Sequence, residues 1–182
     1  GLQVRAVQRE GRQGEEEGVE GIRGGGGVSE PGVLPDDLLA DLLPPDEVAE
    51  GRTVAVVECH EEIPCDSCLW ACPVGAVEKE AVTSPPRVDW SRCTGCGNCV
   101  LACPGLAIFL VRLEGGTAYV SVPYEMLPIP ERGDRVIALG RTGAELGEAE
   151  VVAVRRSEDG TAMVTVAVPR RLAHEVRAVR VP

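Results

Sequence analysis

Eight cysteines in two runs constrain the fold of this chain more than any other feature of its 182 residues. The second run has the spacing C-x2-C-x2-C-x3-C-P and comprises Cys93, Cys96, Cys99, Cys103 and Pro104. The first run repeats it 31 residues earlier, from Cys65 through Cys68 to Cys72 and Pro73. The repeat would place a cysteine at Glu62, but the nearest one is Cys59, three positions earlier. We interpret the pattern as an internal duplication. We expect Cys59, on a longer loop, to take the role of the cysteine that is missing at position 62.

The spacing of the second run is typical of [4Fe–4S] ligation, in which three thiolates converge on three irons of one cluster. The small residues Gly95 and Gly97 let the backbone wrap such a cluster, while Pro104 directs the chain away. In proteins with two such clusters, the last cysteine of each run ligates the other cluster. This rule predicts one cluster on Cys59, Cys65, Cys68 and Cys103, and another on Cys93, Cys96, Cys99 and Cys72. We expect an apolar shell formed by Ile63, Val74, Val77, Leu106 and Ile108.

Three other interpretations of the cysteines are weaker. A zinc ribbon on Cys65/Cys68 and Cys93/Cys96 leaves four cysteines and both Cys-Pro pairs unexplained. A disulfide scaffold is disfavoured because most of the cysteines lie three or four residues apart and no export signal is visible. A Rieske-like site needs two histidines, and the chain has only His60 and His174. We predict that His60 is a loop residue, that Trp70 and Trp90 pack near the clusters, and that Tyr119 and Tyr124 belong to a small β-domain.

Composition changes along the chain predict four segments. Residues 1–33 are Gly-rich and are expected to be flexible. Residues 34–52 hold a short helix, with Leu38, Leu39, Leu42 and Leu43 on one face and a stop at Pro44-Pro45, followed by a linker. The helix packs either on its own domain or on another subunit. Residues 53–113 form the cysteine region, led by a strand over 53–58, and residues 117–182 form a small antiparallel β-sheet or barrel with one helix over 169–177.

The charge balance limits the classes of partner. Asp and Glu total 29 against 18 Lys and Arg, and the net charge of −11 disfavours nucleic acid and anionic membrane surfaces. No apolar stretch is long enough to span a membrane, and a cytoplasmic location is expected. No nucleotide-binding glycine turn or nucleophile elbow is present, so we expect no catalytic site in the chain itself.

Residues 53–112 resemble a bacterial dicluster ferredoxin, which implies an α+β fold with two [4Fe–4S] clusters. The segments 58–65, 93–109 and 122–128 are similar, more narrowly, to the ferredoxin-like subunits of multisubunit flavin-dependent amino-acid dehydrogenases. Such complexes oxidise proline, hydroxyproline or sarcosine-like secondary amines. This resemblance implies a hetero-oligomer with flavoprotein dehydrogenase subunits, which carry the FAD or FMN, and a small [2Fe–2S] protein.

Two functions follow as hypotheses. The first is an electron-transfer subunit built into a flavoenzyme, which relays electrons between flavin and acceptor. The second is a free, diffusible ferredoxin that serves several redox partners, whose encounters an acidic surface would steer. The roughly 70 residues after the cysteine region favour the subunit, because diffusible ferredoxins need little beyond their clusters. A third interpretation, a sensor of iron or redox state with one cluster missing, rests on the irregular Cys59 spacing.

Overall fold

The structure, a computed structural model, describes residues 33–182 and consists mainly of antiparallel β-strands. The predicted flexible segment therefore lies, except for Val33, outside the described residues. The nine strands are β1 (Val54–Val57), β2 (Val77–Glu78), β3 (Arg87–Val88), β4 (Ile108–Glu114), β5 (Thr117–Tyr124), β6 (Arg135–Leu139), β7 (Glu145–Arg156), β8 (Ala162–Pro169) and β9 (Ala178–Arg180). Seven of them form one sheet in the order β1-β4-β5-β8-β7-β6-β9, and β2 and β3 form a separate pair.

The described residues also form four short α-helices, two before β1 and two between strands. They are α1 (Asp36–Leu42), α2 (Asp46–Ala49), α3 (Ser67–Ala71) and α4 (Asn98–Ala102). Helix α1 begins at the acidic pair Asp36-Asp37 and buries Leu39, so of the two alternatives the structure shows packing on its own chain. The proline pair ends α1, as predicted, but Pro45 then caps α2, which the sequence analysis missed.

Strands β1 and β4 lie between two apolar clusters, because successive side chains of a strand point to opposite faces. Val54 and Val56 face the larger cluster, which the strands β5 to β9 complete. Ala55 and Val57 face the smaller cluster, which contains six of the eight cysteines at its core or its margin. The strand β1 is therefore apolar throughout, with one face in each apolar cluster.

The two cysteine runs adopt matching structures 31 residues apart. Helices α3 and α4 occupy equivalent positions, and their strands pair reciprocally: Val57 lies opposite Ile108 in one pair, and Val77 lies opposite Val88 in the other. The loops match as well, since the Glu58 amide donates to the Ala107 carbonyl and the Asp89 amide donates to the Ala76 carbonyl, both at 2.8 Å. The predicted internal duplication is confirmed by this geometry.

All four strands that the Val-rich runs predict beyond residue 116, over 118–122, 135–139, 150–154 and 162–168, are present, but the predicted helix over 169–177 is wrong. Only a 3₁₀ helix forms there, Arg170–Leu172. The Arg177 amide donates to the Leu139 carbonyl and β9 begins at the next residue, so too few residues remain for a longer helix. The predicted boundary between residues 113 and 117 falls in the turn between β4 and β5, and both flanking segments share one sheet. None of the helices within residues 33–182 has the length and apolarity needed to cross a membrane.

Candidate iron–sulfur centre

The first cysteine cavity lies beside α3 and encloses a free volume of about 470 Å³. Three of its cysteines come from the first run, Cys59, Cys65 and Cys68, and the fourth, Cys103, follows α4 in the second run. Apolar atoms of Ile63, Ile108 and Pro104 contribute to the same wall. The structure thus brings together the four cysteines that the sequence analysis assigned to one cluster.

The second cysteine cavity is smaller, with about 20 Å³ of free space, and has the reciprocal composition. It is lined by Cys93, Cys96 and Cys99 of the second run and by Cys72, which follows α3 in the first run. Four sulfur donors at each cavity fit the thiolate chemistry of iron–sulfur clusters, and all eight cysteines of the structure are free of disulfides. Within the described range 33–182, no three His, Cys, Asp or Glu side chains are grouped as ligands of a single metal ion.

The fourth cysteine of each run accepts a backbone hydrogen bond from the loop that follows it. The Ala76 amide donates to Cys72 Sγ at 3.1 Å, and the Ala107 amide donates to Cys103 Sγ at 3.5 Å. Burial raises the pKa of the Cys72 thiol, but the amides of Ala76 and its neighbours outweigh burial and lower this pKa overall. Amides that point at sulfur stabilise the thiolate, which is the form that binds iron.

Two buried cysteines, Cys68 in α3 and Cys99 in α4, have raised pKa values. Burial, with the neighbouring thiols, raises the pKa of Cys68 to about 11 and that of Cys99 to about 12. The same causes raise the pKa of Cys59. These thiols are protonated at neutral pH when no metal is bound, so metal binding has to displace their protons.

The glycines of the second run permit close packing against the strands. Gly95 and Gly97 have φ values of 65° and 76°, in the left-handed region that favours glycine. A Cβ atom on Gly95 would lie 2.5 Å from the Thr53 carbonyl oxygen. A Cβ atom on Gly97 would lie 2.8 Å from Met163 in β8. The loop that carries Cys96 therefore packs closely against Thr53, the residue before β1, and against β8.

Three cationic side chains donate hydrogen bonds to cysteine carbonyls, and none of these contacts was predicted from the sequence. Lys79 Nζ donates to the Cys65 carbonyl at 3.1 Å, and Arg155 Nη1 from β7 donates to the Cys96 carbonyl at 2.6 Å. Arg52 Nη2 donates to the Cys93 carbonyl at 3.1 Å. Cys65 and Cys96 are equivalent positions of the duplication. The only sequence signal was that Lys79 is the single lysine of the chain.

A buried carboxylate joins the first cavity to the C-terminal strands. Glu58, immediately before Cys59, accepts hydrogen bonds from Arg141 (Nη2, 2.6 Å; Nε, 3.0 Å) and from Arg177 (Nε, 2.7 Å). The Arg177 guanidinium also lies 4.8 Å from the centre of the Phe109 ring. Burial raises the pKa of Glu58, but the two arginines outweigh burial and hold it below its usual value. This network anchors the position from which Cys59 enters the cavity.

Several predicted neighbours of the clusters lie elsewhere. Trp70 is 88% exposed, so the prediction that it packs near the clusters is wrong, whereas Trp90 is half-buried and donates to the Ala55 carbonyl at 2.9 Å. At the position equivalent to Trp70, Leu101 packs at the margin of the smaller apolar cluster. Of the predicted apolar shell, Val77 and Ile108 are buried and Leu106 is half-buried, but Ile63 and Val74 are exposed at the cavity rims.

The residues that a zinc ribbon or a Rieske-like site would need do not line one common cavity. Cys65 and Cys68 line one cavity, while Cys93 and Cys96 line the other, so a zinc ribbon on these four is contradicted. His60 lies in the loop after Cys59, as predicted, and lines the first cavity. His174 Nε2 lies 3.7 Å from Asp46 Oδ1, and the His174 side chain lines neither cysteine cavity. Tyr119 and Tyr124 both lie in β5.

Comparison with known proteins agrees with the chemistry of the second run. Residues 86–109 match the family model of the 4Fe–4S binding domain. The subunit beta of dissimilatory-type sulfite reductase from Archaeoglobus fulgidus is 37% identical over 59 residues, which cover 32% of this chain and 16% of that protein. The pyruvate synthase subunit PorD from Methanothermobacter marburgensis is 40% identical over 50 residues, which cover 28% of this chain and 56% of that protein.

The matches are partial in both directions. The chain spans 56% or less of the length of these curated relatives, and no solved structure matches it significantly. The family match covers all four cysteines of the second run but none of the first, whose Cys59 departs from the regular spacing. The chain therefore carries a ferredoxin-type 4Fe–4S binding domain and is related, over part of its length, to subunits of larger enzymes.

Proposed function

We propose that this chain is an electron-transfer subunit that holds two [4Fe–4S] clusters and relays electrons within a multisubunit oxidoreductase. The observation that carries this proposal is the pair of cavities, each lined by three cysteines of one run and one of the other. The ligands would be Cys59, Cys65, Cys68 and Cys103 for the first cluster, and Cys72, Cys93, Cys96 and Cys99 for the second. When bound, each cluster supplies a centre for one-electron oxidation and reduction.

The protein's own residues would fix the two clusters next to each other. Cys68 and Cys72 lie one helical turn apart at α3 and line different cavities, and the same holds for Cys99 and Cys103 at α4. Each short helix thus joins the two cavities, which keeps them adjacent and their separation constant. Val57, Val100 and Ile108 are at most 2% exposed on the side where the cavities face the sheet, and they exclude water there.

The C-terminal strands favour a built-in subunit over a diffusible carrier. These strands and the loops next to them contribute Arg141, Arg155 and Arg177, which hold the residues around Cys59 and Cys96. The loop between β5 and β6 presents Met126 and Leu127, which are 57% and 86% exposed. These two neighbouring side chains offer a small apolar contact for a partner protein. The partial relatives are also named as subunits of larger enzymes.

For the partner, we propose a flavin-dependent dehydrogenase that oxidises a secondary amine or amino acid. This part of the proposal rests on the resemblance of the segments 58–65, 93–109 and 122–128. The FAD or FMN would reside on the partner subunits, and a small [2Fe–2S] protein would complete the complex. A cytoplasmic location would keep the eight thiols reduced until the clusters assemble.

Purification of the native protein under argon tests this proposal. We expect a complex with fixed stoichiometry that contains flavin in addition to the iron of this chain, measured by flavin release and by mass spectrometry of the intact assembly. A complex without flavin would contradict the flavoprotein partner while leaving the subunit role intact. A monomer carrying both clusters would instead support the diffusible ferredoxin.

A further inference from the structure

The walls of the two cysteine cavities differ at one equivalent position of the duplication. Lys79 lines the first cavity, and Leu110, 31 residues later, lines the second. Both positions follow the fourth cysteine of their run by seven residues. The duplication thus provides an internal comparison between a cationic and an apolar side chain in the same place.

The Lys79 ammonium is buried among backbone carbonyls. Its side chain is 4% exposed, and Nζ donates to the carbonyls of Val82 at 2.6 Å and Ile63 at 3.4 Å, in addition to that of Cys65. Among residues 33–182 its one charged partner is Asp66, whose Oδ1 lies 3.4 Å from Nζ and whose side chain is 38% exposed. Water therefore screens the carboxylate more than the ammonium, so the pair leaves part of the positive charge acting on the cavity.

The other charges at the cavities do not reproduce this arrangement. Glu58 lines the first cavity, but Arg141 and Arg177 neutralise it, and Glu61 is exposed. At the second cavity, Arg155 reaches the Cys96 carbonyl from an exposed position, where solvent screens its charge. Lys79 is therefore the buried cation that distinguishes the first cavity from the second.

We propose that Lys79 sets the reduction potential of the first cluster by stabilising its reduced form. The proposal rests on the two-cluster function above. Reduction adds one electron to the cluster, which takes the four-thiolate centre from a net charge of about −2 to about −3 without making or breaking a bond. A fixed cation nearby favours the more negative state. Lys79 also positions the loop that carries Cys65, through the hydrogen bond to its carbonyl.

The test is a redox titration of the whole chain with dithionite as the reductant, followed by low-temperature EPR. Lys79→Met should lower one of the two midpoint potentials by about 59 mV, which corresponds to a roughly tenfold fall in the ratio of reduced to oxidised cluster at a fixed potential. The midpoint that moves should be the one that is lost in Cys59→Ser. Lys79→Arg should keep the original value because it keeps the charge, and Arg171→Met, which removes an exposed cation, should change neither midpoint.

Lys79→Gln separates the charge from the hydrogen bond, because its amide can still donate to a carbonyl. We expect it to shift the potential as Lys79→Met does. A shift in Lys79→Arg as large as that in Lys79→Met would overturn the proposal. Loss of the first cluster in both Lys79→Met and Lys79→Gln would also overturn it, because it would assign Lys79 a purely structural role. Two midpoints that do not respond to any Lys79 variant would refute this inference alone, whereas a single reducible cluster in the unsubstituted protein would refute the proposed function.

Discussion

Individual residues decide which backbone conformations the cysteine loops adopt and how closely these loops pack against the strands. Gly75 and Leu106 occupy equivalent positions after the fourth cysteines, with φ values of 57° and 52°. The duplication thus requires a left-handed residue at both sites, and the second site accommodates a leucine at some cost in backbone strain. Gly95 has no such alternative, because the Thr53 carbonyl occupies the space that a Cβ atom would need.

We predict that Gly95→Ala destabilises the holoprotein by about 3 kcal/mol, since it adds a backbone clash to the cost of a left-handed alanine. Gly51→Ala is the matched control. Gly51 has the same φ of 65°, but nothing lies within 4 Å of an added Cβ atom. The control should therefore cost only about 1 kcal/mol. Denaturant unfolding under argon measures both, and equal losses would show that the contact with Thr53 is unimportant.

At the level of elements, the short helices α3 and α4 cross-connect the two cavities. The third and fourth cysteines of a run lie four residues apart, and the backbone leaves the helix at the fourth, which turns that side chain towards the other cavity. The crossing makes each cavity depend on both runs.

The crossing predicts which cluster each substitution damages. Cys103→Ala should perturb the cluster on Cys59, Cys65 and Cys68, and Cys72→Ala should perturb the cluster on Cys93, Cys96 and Cys99. The other cluster should retain its EPR signature in each variant. Damage to the cluster of the substituted residue's own run in both variants would disprove the crossing.

Strand β1 ends at a buried ion pair that connects it to the loops around β6 and β9. The Glu58 carboxylate is 8% exposed, while the Arg141 and Arg177 side chains are 13% and 5% exposed. Because removing one member of a buried pair leaves its partners uncompensated, we predict that Glu58→Gln lowers the free energy of unfolding by about 3 kcal/mol at pH 7.

This loss should depend on pH. The pKa of Glu58 lies below its usual value of 4.5, so its stabilisation is complete above pH 4.5 and is lost as the pH falls through the folded-state pKa. The difference between the original protein and Glu58→Gln should therefore shrink in acid. Glu148→Gln, which removes an exposed pair with Arg135, should show neither effect. A difference that stays constant from pH 7 to acid would show that Glu58 is not held as a carboxylate.

For the whole molecule, local patterns were sufficient to predict the duplication, four of the C-terminal strands and the helix α1. The cysteine spacing and the alternation of valines act over short distances, and short-range patterns can be read from one sequence. The contacts of Arg141, Arg155 and Lys79 were not predictable, because they join residues that are distant along the chain or depend on burial. Trp70 shows the same limit, since its apolar ring predicted packing but no element within residues 33–182 covers α3 at that position.

The partition into two domains illustrates how tertiary structure overrides composition. Cysteine disappears after residue 103 and short valine-rich runs begin, yet β4 and β5 form one hairpin, and the larger apolar cluster includes Val54, Phe109 and Val120 together. The cysteine region and the C-terminal strands share this core. The strands that fix Glu58 and Cys96 are thus part of the same folded unit as the cavities.

The iron and sulfide content of the protein reconstituted under argon tests the central claim, two clusters on eight cysteines, most directly. We predict about eight iron and eight sulfide per chain, and about four of each in Cys59→Ser, in which the second cluster keeps all of its ligands. A plateau at about four iron in the original protein, unchanged in Cys59→Ser, would contradict this account, because it would show that the first cavity holds no cluster.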